Sequence, residues 1–172
     1  MKMLRFNDTK SAPALLAALI FTLFFSACSV DDKPQAMNLG KDDCSACQMT
    51  IVNGQFACEL ITDKGKCFKF DDLSCLFNYI AQNEIDENKI LKMYVGDYEH
   101  PENLIDLKTA NLVLGKDIAS PMGGGVAAFS NRDHAAKYAQ DTKSMLLTSW
   151  TVLRKRGHLE ELTDKPMQPM KH

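Results

Sequence analysis

Three sulfur-bearing side chains fall within six residues in Asp43-Cys44-Ser45-Ala46-Cys47-Gln48-Met49. Thiolate and thioether sulfurs select soft metal ions, monovalent copper above all, whereas zinc favours thiolate, imidazole and carboxylate. A methionine donor needs no deprotonation and cannot be consumed by a disulfide, although it can be oxidised to a sulfoxide. The same residues admit other chemistry. A Cys-x-x-Cys pair serves equally as a redox couple or a structural disulfide, and a methionine beside a strand ordinarily fills a core. A further sulfur stands far along the chain, in Ser120-Pro121-Met122-Gly123-Gly124-Gly125. Proline and three glycines make this an exposed turn, so Met122 is expected on a loop, where sites concentrate, rather than in a core. The glycines do not read as a phosphate cradle, because no Lys-Ser/Thr ending follows.

The remaining candidates have plainer explanations. Cys58 and Cys67 sit on the two arms of a predicted hairpin. With the turn centred on Lys64, Cys58 faces position 70 rather than Cys67, so the two are expected as packed thiols and not as a disulfide. Cys75, on a part-buried helix, is expected to fill the core, with support of a nearby site as a secondary role. Asp71 and Asp72 are expected as helix caps. His100 and His134 read as solvated or capping residues. Met167, Met170 and His172 form Met-x-x-Met-x-His near the end of the sequence, a pattern able to catch copper on a flexible arm.

The elements that must position these residues can be read from periodicity. Residues 55–62 and 66–70 alternate in period two around Asp63-Lys64-Gly65, a hairpin signal. Asp72 then precedes an amphipathic helix from Leu73 to about Gln82, with Leu73, Leu76, Phe77 and Ile80 on one face. Residues 90–95 return as a strand. A similar order follows: strands at 111–114 and 125–130, a helix capped by Asn131 and running to about Gln140, and a strand from Leu146 to Leu153. Phe70, Asp72 and Tyr79 recur at the same spacing as Phe129, Asn131 and Tyr138. These features predict an α+β fold of two tandem homologous ββαβ units, 43–98 and 99–162, packed as one compact body. A flexible tether, 28–42, precedes them and a mobile tail, 163–172, follows.

The N-terminal segment reads as targeting rather than structure. Lys2, Arg5 and Lys10 lead into an apolar run from Ala12 to Phe25, and Phe25-Ser26-Ala27 precede Cys28. Residues 1–27 are therefore expected to be a lipoprotein signal peptide, with Cys28 left as the acylated first residue. The run is shorter than the roughly 20 apolar residues that a membrane-crossing helix needs. The remaining chain would carry a net charge of −4, and with no basic face it excludes nucleic acid as a partner. Five cysteines would remain, an odd number that cannot be fully paired within one chain.

Asp43-x-x-x-Cys47-Gln-Met49, Phe56-Ala57, Phe70-Asp71-Asp72-Leu-Ser-Cys75, Tyr94-Val95-x-Asp97-Tyr98 and Ser120-Pro-Met122-Gly…Ala128-Phe129 occur in the order seen in the NosL family. The sequence resembles these lipoprotein copper chaperones of nitrous oxide reductase assembly over roughly residues 42–155. The resemblance implies Cu(I) binding without turnover, with Cys47, Met49 and Met122 as ligands and Cys44 as an auxiliary donor. It also implies an extracytoplasmic protein held by the lipid on Cys28 to a bacterial membrane, facing the periplasm. Ser29 after that cysteine favours the outer membrane. The partner would be a copper-accepting enzyme or an ABC-type assembly complex. The competing reading is a thiol–disulfide oxidoreductase using Cys44 and Cys47, which would want a low-pKa thiolate at a helix N-terminus.

Overall fold

The structure, a computed structural model, describes residues 30–147 and residue 150. The chain divides into two units, Met1–Val30 and Asp31–His172, and every element below belongs to the second. The signal peptide, Cys28, most of the strand expected over 146–153 and the Met167/Met170/His172 tail lie outside the described residues.

The hairpin forms as β1 (Cys58–Thr62) and β2 (Cys67–Phe70), antiparallel, with Cys58 opposite Phe70 and Ile61 opposite Cys67. Thr62 closes the turn, its Oγ1 accepting from the Lys66 N–H at 3.0 Å. Helix α1 (Leu73–Gln82) follows at once, with Asp72 in extended backbone as its N-cap. Its buried residues are Leu73, Cys75 and Leu76. Strand β3 (Ile90–Gly96) pairs antiparallel with β1. A short β4 (Leu104–Asp106), not foreseen from the sequence, adds to the outer edge of β3. It carries the first sheet past residue 98 and completes the order β2-β1-β3-β4.

The second sheet is built in the same order. Strands β5 (Asn111–Leu114) and β6 (Val126–Phe129) pair antiparallel, helix α2 (Arg132–Asp141) follows, and β7 (Met145–Leu146) pairs with β5, giving β6-β5-β7. The three recurring residues do the same work in both sheets. Asp72 and Asn131 cap their helices. Phe70 packs on Tyr79 with ring centroids 5.3 Å apart, and Phe129 packs on Tyr138 at 5.2 Å.

Alternation along the strands divides the interior. Cys58 and Leu60 of β1, Leu112 and Leu114 of β5, and Val126 and Ala128 of β6 share one core with Leu73 and Leu76 of α1. Val113, Ala127 and Phe129 point the other way, onto Ala135 and Ala139 of α2. The sheets are joined where the Tyr98 N–H donates to the Ala128 carbonyl at 2.8 Å.

The segment expected as a tether is held against the first sheet over much of its length. Glu59, Lys69 and Tyr94 alternate with core residues and face away from the shared core. There the Gln35 N–H donates to the Glu59 carboxylate at 3.0 Å, Lys69 Nζ to the Ala36 carbonyl at 2.7 Å, and the Tyr94 hydroxyl to the Asp32 carbonyl at 2.6 Å. Polar composition predicted a flexible tether; within it, backbone groups of Asp32, Gln35 and Ala36 find partners on the sheet's second face.

Close backbone approach packs the turn before β1 against the end of β3. A Cβ at Gly96, the last residue of β3, would collide with the carbonyl oxygen of Gly54, in the turn that leads into β1. Gly96→Ala is therefore expected to cost about 1–3 kcal/mol. A lower denaturant midpoint with an unchanged m-value would measure it.

Candidate metal centre

The segment 42–51 folds into a tight closed loop on the edge of the first sheet. The Cys44 N–H donates to the Met49 carbonyl at 2.8 Å, the Gln48 N–H to the Cys44 carbonyl at 2.9 Å, and the Ile51 N–H to the Asp42 carbonyl at 2.9 Å. The Ser45 N–H donates to the Lys69 carbonyl at 2.8 Å and fixes the loop to β2. Reversal within so few residues puts Gln48 in the left-handed region, φ 63°. Its side-chain amide offsets the strain by donating to the Cys44 and Ser45 carbonyls, both at 3.3 Å.

Three thiols meet inside this loop. The Sγ atoms of Cys44, Cys47 and Cys75 all lie within 4.8 Å of one another, the one such grouping of potential ligands among the described residues. Three sulfurs holding one ion at roughly 2.3 Å in a plane stand about 4 Å apart, so the cluster fits a soft metal with little movement. Cys44 is fully buried, Cys47 half-buried and Cys75 buried. All five described cysteines are free thiols.

Cys75 is buried in the core, as the sequence reading had it, and its sulfur also joins the thiol cluster. It is the third residue of α1, and side chains of a first turn lean toward the helix N-terminus. There it meets the Cys44–Cys47 loop as well as packing in the core with Leu73 and Leu76. The signal available in the sequence was its place one turn after the Asp71-Asp72 cap, where the positive end of a helix favours a thiolate.

The surroundings split the three thiols electrostatically. Cys44 accepts a hydrogen bond from the Cys75 thiol, and the backbone N–H groups of Cys47, Asp71 and Ala46 also point at its sulfur. Together these outweigh burial and bring the Cys44 thiol down to about 5, so it is a thiolate at neutral pH. Cys75 is pushed up, first by the hydrogen bond it gives to Cys44 and then by burial. Cys47 is also raised, by burial and by the neighbouring Cys44 charge, although the Met49 N–H donates to its sulfur. Asp71 lies beside this charge, 2% exposed, and its Oδ1 has no hydrogen-bond partner. Burial first, then the charges of Cys44 and Asp72, hold its carboxyl above the usual range.

The two candidate methionines are exposed. Met49 and Met122 are 53% and 42% exposed, two of only four large apolar side chains exposed among the described residues. Met122 belongs to a turn closed by the Gly123 N–H on the Ser120 carbonyl at 3.0 Å, with Gly123 at φ 72°. Its own N–H donates to Asp72 Oδ2 at 3.0 Å, while Asp72 Oδ1 accepts from the Cys75 N–H at 3.1 Å. One carboxylate thus separates the backbone of the methionine loop from that of the third thiol. Asp72 is a cap as expected; Asp71 is not, and its backbone serves Cys44 instead.

Other sequence candidates lie elsewhere. Cys58 is buried behind the site, its thiol donating to the Phe56 carbonyl at 3.1 Å. Cys67 faces Glu59 on the far side of the sheet, where burial and that carboxylate raise its thiol to about 12. His134 Nδ1 pairs with Glu99 at 2.6 Å on the surface, and His100 stands 3.9 Å from Glu102.

No curated protein matches the chain. A solved structure, the copper chaperone NosL from Shewanella denitrificans, is similar in fold with a TM-score of 0.58 and 22% sequence identity. The match covers 68% of this chain and 92% of that one. The NosL family model matches residues 36–152, which take in both sheets, the three clustered thiols and the Met122 loop. The chain belongs to the NosL family.

Proposed function

We propose that this protein is a copper chaperone that binds one Cu(I) through Cys44, Cys47 and Cys75, assisted by Met49 and Met122, and passes it to a partner by ligand exchange. The observation that carries this reading is the convergence of three thiol sulfurs within 4.8 Å, from two separate segments of the chain. A donor set of sulfur alone favours Cu(I) over harder divalent ions. Exposed thioethers at the edge of buried thiols leave a side open, so an incoming donor can bind before the last resident donor departs. A relative by fold is itself a copper chaperone, which agrees with this chemistry.

The protein is then a carrier rather than an enzyme. The oxidoreductase reading has the acidic Cys44 thiol in its favour. Against it, the Cys-x-x-Cys pair sits in a turn rather than at a helix N-terminus, and Cys75 crowds the pair with a third sulfur. The recipient in this proposal is an extracytoplasmic copper enzyme, nitrous oxide reductase or its ABC-type assembly complex. A lipid on Cys28 holds the carrier at the periplasmic side of the outer membrane. The recurring strand order and the paired Phe–Tyr contacts support an internal duplication in which only the first ββαβ unit keeps thiols.

Anaerobic titration of the reduced protein with Cu(I), in competition with a chromogenic Cu(I) chelator, tests the function. One equivalent is expected to be retained, and retention of Zn(II) in its place overturns the reading. Met122→Ala is expected to weaken Cu(I) binding about tenfold or more in the same titration. Unchanged competition removes Met122 from the ligand set.

A further inference from the structure

The geometry points to Asp72 and Ser120 as a latch that governs how fast copper leaves: positioning residues that clamp the Met122 loop onto the thiol cluster. This rests on the proposed Cu(I) site and adds to it the part that opens.

Both oxygens of the Asp72 carboxylate are used, in opposite directions. Oδ1 caps α1 through the Cys75 N–H. Oδ2 reaches 48 residues along the chain to accept from Ser120 Oγ at 3.0 Å, and also accepts the Met122 N–H at 3.0 Å. Ser120 Oγ in turn accepts the Gly125 N–H at 3.0 Å, so the hydroxyl spans the loop it closes. Asp72 is 2% exposed and Ser120 9%, so water does not compete freely for these bonds. A helix cap needs only one oxygen, and asparagine serves as well as aspartate there. The second oxygen is what requires a carboxylate, because it must accept from two donors at once. Releasing that one atom frees the methionine loop while the cap and all three thiols stay in place.

Asp72→Asn separates the two tasks. Its amide keeps an oxygen for the Cys75 N–H but turns an NH2 group toward the Met122 N–H, donor against donor. The copper dissociation rate, measured by transfer to a chelator in stopped flow, is expected to rise about tenfold, within the 10–100-fold range typical of residues that orient metal ligands. Cu(I) X-ray absorption is expected to lose one sulfur neighbour, as in Met122→Ala. Ser120→Ala is expected to show a smaller increase and Ser120→Thr, which restores the hydroxyl, to return the rate toward that of the parent. In a Met122→Ala background, Asp72→Asn is expected to change neither rate nor sulfur count further.

The latch is overturned if Met122→Ala speeds release while Asp72→Asn, folded by circular dichroism, leaves rate and sulfur count unchanged. Should Asp72→Asn not fold, equal rates for Ser120→Ala and the parent protein overturn it. Failure of the underlying site looks different, since Met122→Ala itself would then have no effect.

Discussion

Cys75→Ser is expected to weaken Cu(I) binding by at least about a hundredfold, more than the 10–100-fold typical of groups that only orient a ligand. Serine is nearly the same size and suits the first turn of a helix, so the packing and the Asp72 cap are largely preserved. What disappears is a soft anionic donor within 4.8 Å of two others, replaced by a hydroxyl that Cu(I) binds poorly. A residue that only filled the core between Leu73 and Leu76 would behave otherwise, costing stability but leaving affinity intact. Chelator competition together with a denaturation curve reads both quantities. Cys67→Ser, on the opposite face of the first sheet, is the matched control and is expected to leave affinity unchanged. Equal affinities for Cys75→Ser and Cys67→Ser would remove the third thiol from the site.

The second large effect is on pH. At neutral pH the empty cluster holds two protons, because the Cys44 thiol lies near 5 while Cys47 and Cys75 lie above their ordinary value of 9.0. Binding one Cu(I) through three thiolates must expel both. The apparent association constant is therefore expected to rise about a hundredfold per pH unit between roughly pH 6 and 8. It should steepen below about 5, where the Cys44 thiolate is protonated too. Competition titrations at several pH values, corrected for protonation of the chelator, give the slope directly. A flat profile would mean that Cys47 and Cys75 do not bind as thiolates.

The sign for folding follows from the same groups. The depressed Cys44 thiol contributes stability that is complete above the unfolded value near 9 and is lost as pH falls through about 5. Cys47 and Cys75, both raised, contribute below 9 and lose their contribution as pH rises past it. The cluster's share of the metal-free protein's stability therefore peaks near pH 9.

The local features were the legible ones. Period-two alternation around Asp63-Lys64-Gly65 gave the hairpin and the pairing of Cys58 with Phe70, because register follows from the turn. Helix α1 begins and ends where the Asp72 cap and the apolar stripe imply, and α2 begins after Asn131. Strand β4 was not legible. Three residues after a Pro-Glu-Asn loop carry no periodic signal, and their pairing depends on an open edge of β3. The fastening of residues 32–42 was hidden in the same way, since its partners Glu59, Lys69 and Tyr94 lie on strands distant in sequence.

The site was legible in part. Cys44, Cys47, Met49 and Met122 were marked by element chemistry and by the Ser-Pro-Met-Gly turn. Cys75 was masked by its apolar neighbours, which make a buried cysteine look like filling. Only tertiary folding reveals that a helix start and a loop 28 residues before it share one space, and that Asp72 bridges to residue 120. Such closure has no local signature.

The amide groups aimed at the loop sulfurs have a consequence for reactivity. Three N–H groups drain electron density from Cys44 and one from Cys47, whereas the Cys75 amide is spent on Asp72. The Cys44 thiolate is thereby made the best leaving group of the three, and the raised Cys47 and Cys75 thiolates are left the stronger bases. A departing ion should therefore shed Cys44 first and hold Cys75 longer, so the order in which the sulfurs let go is set by where the amides point.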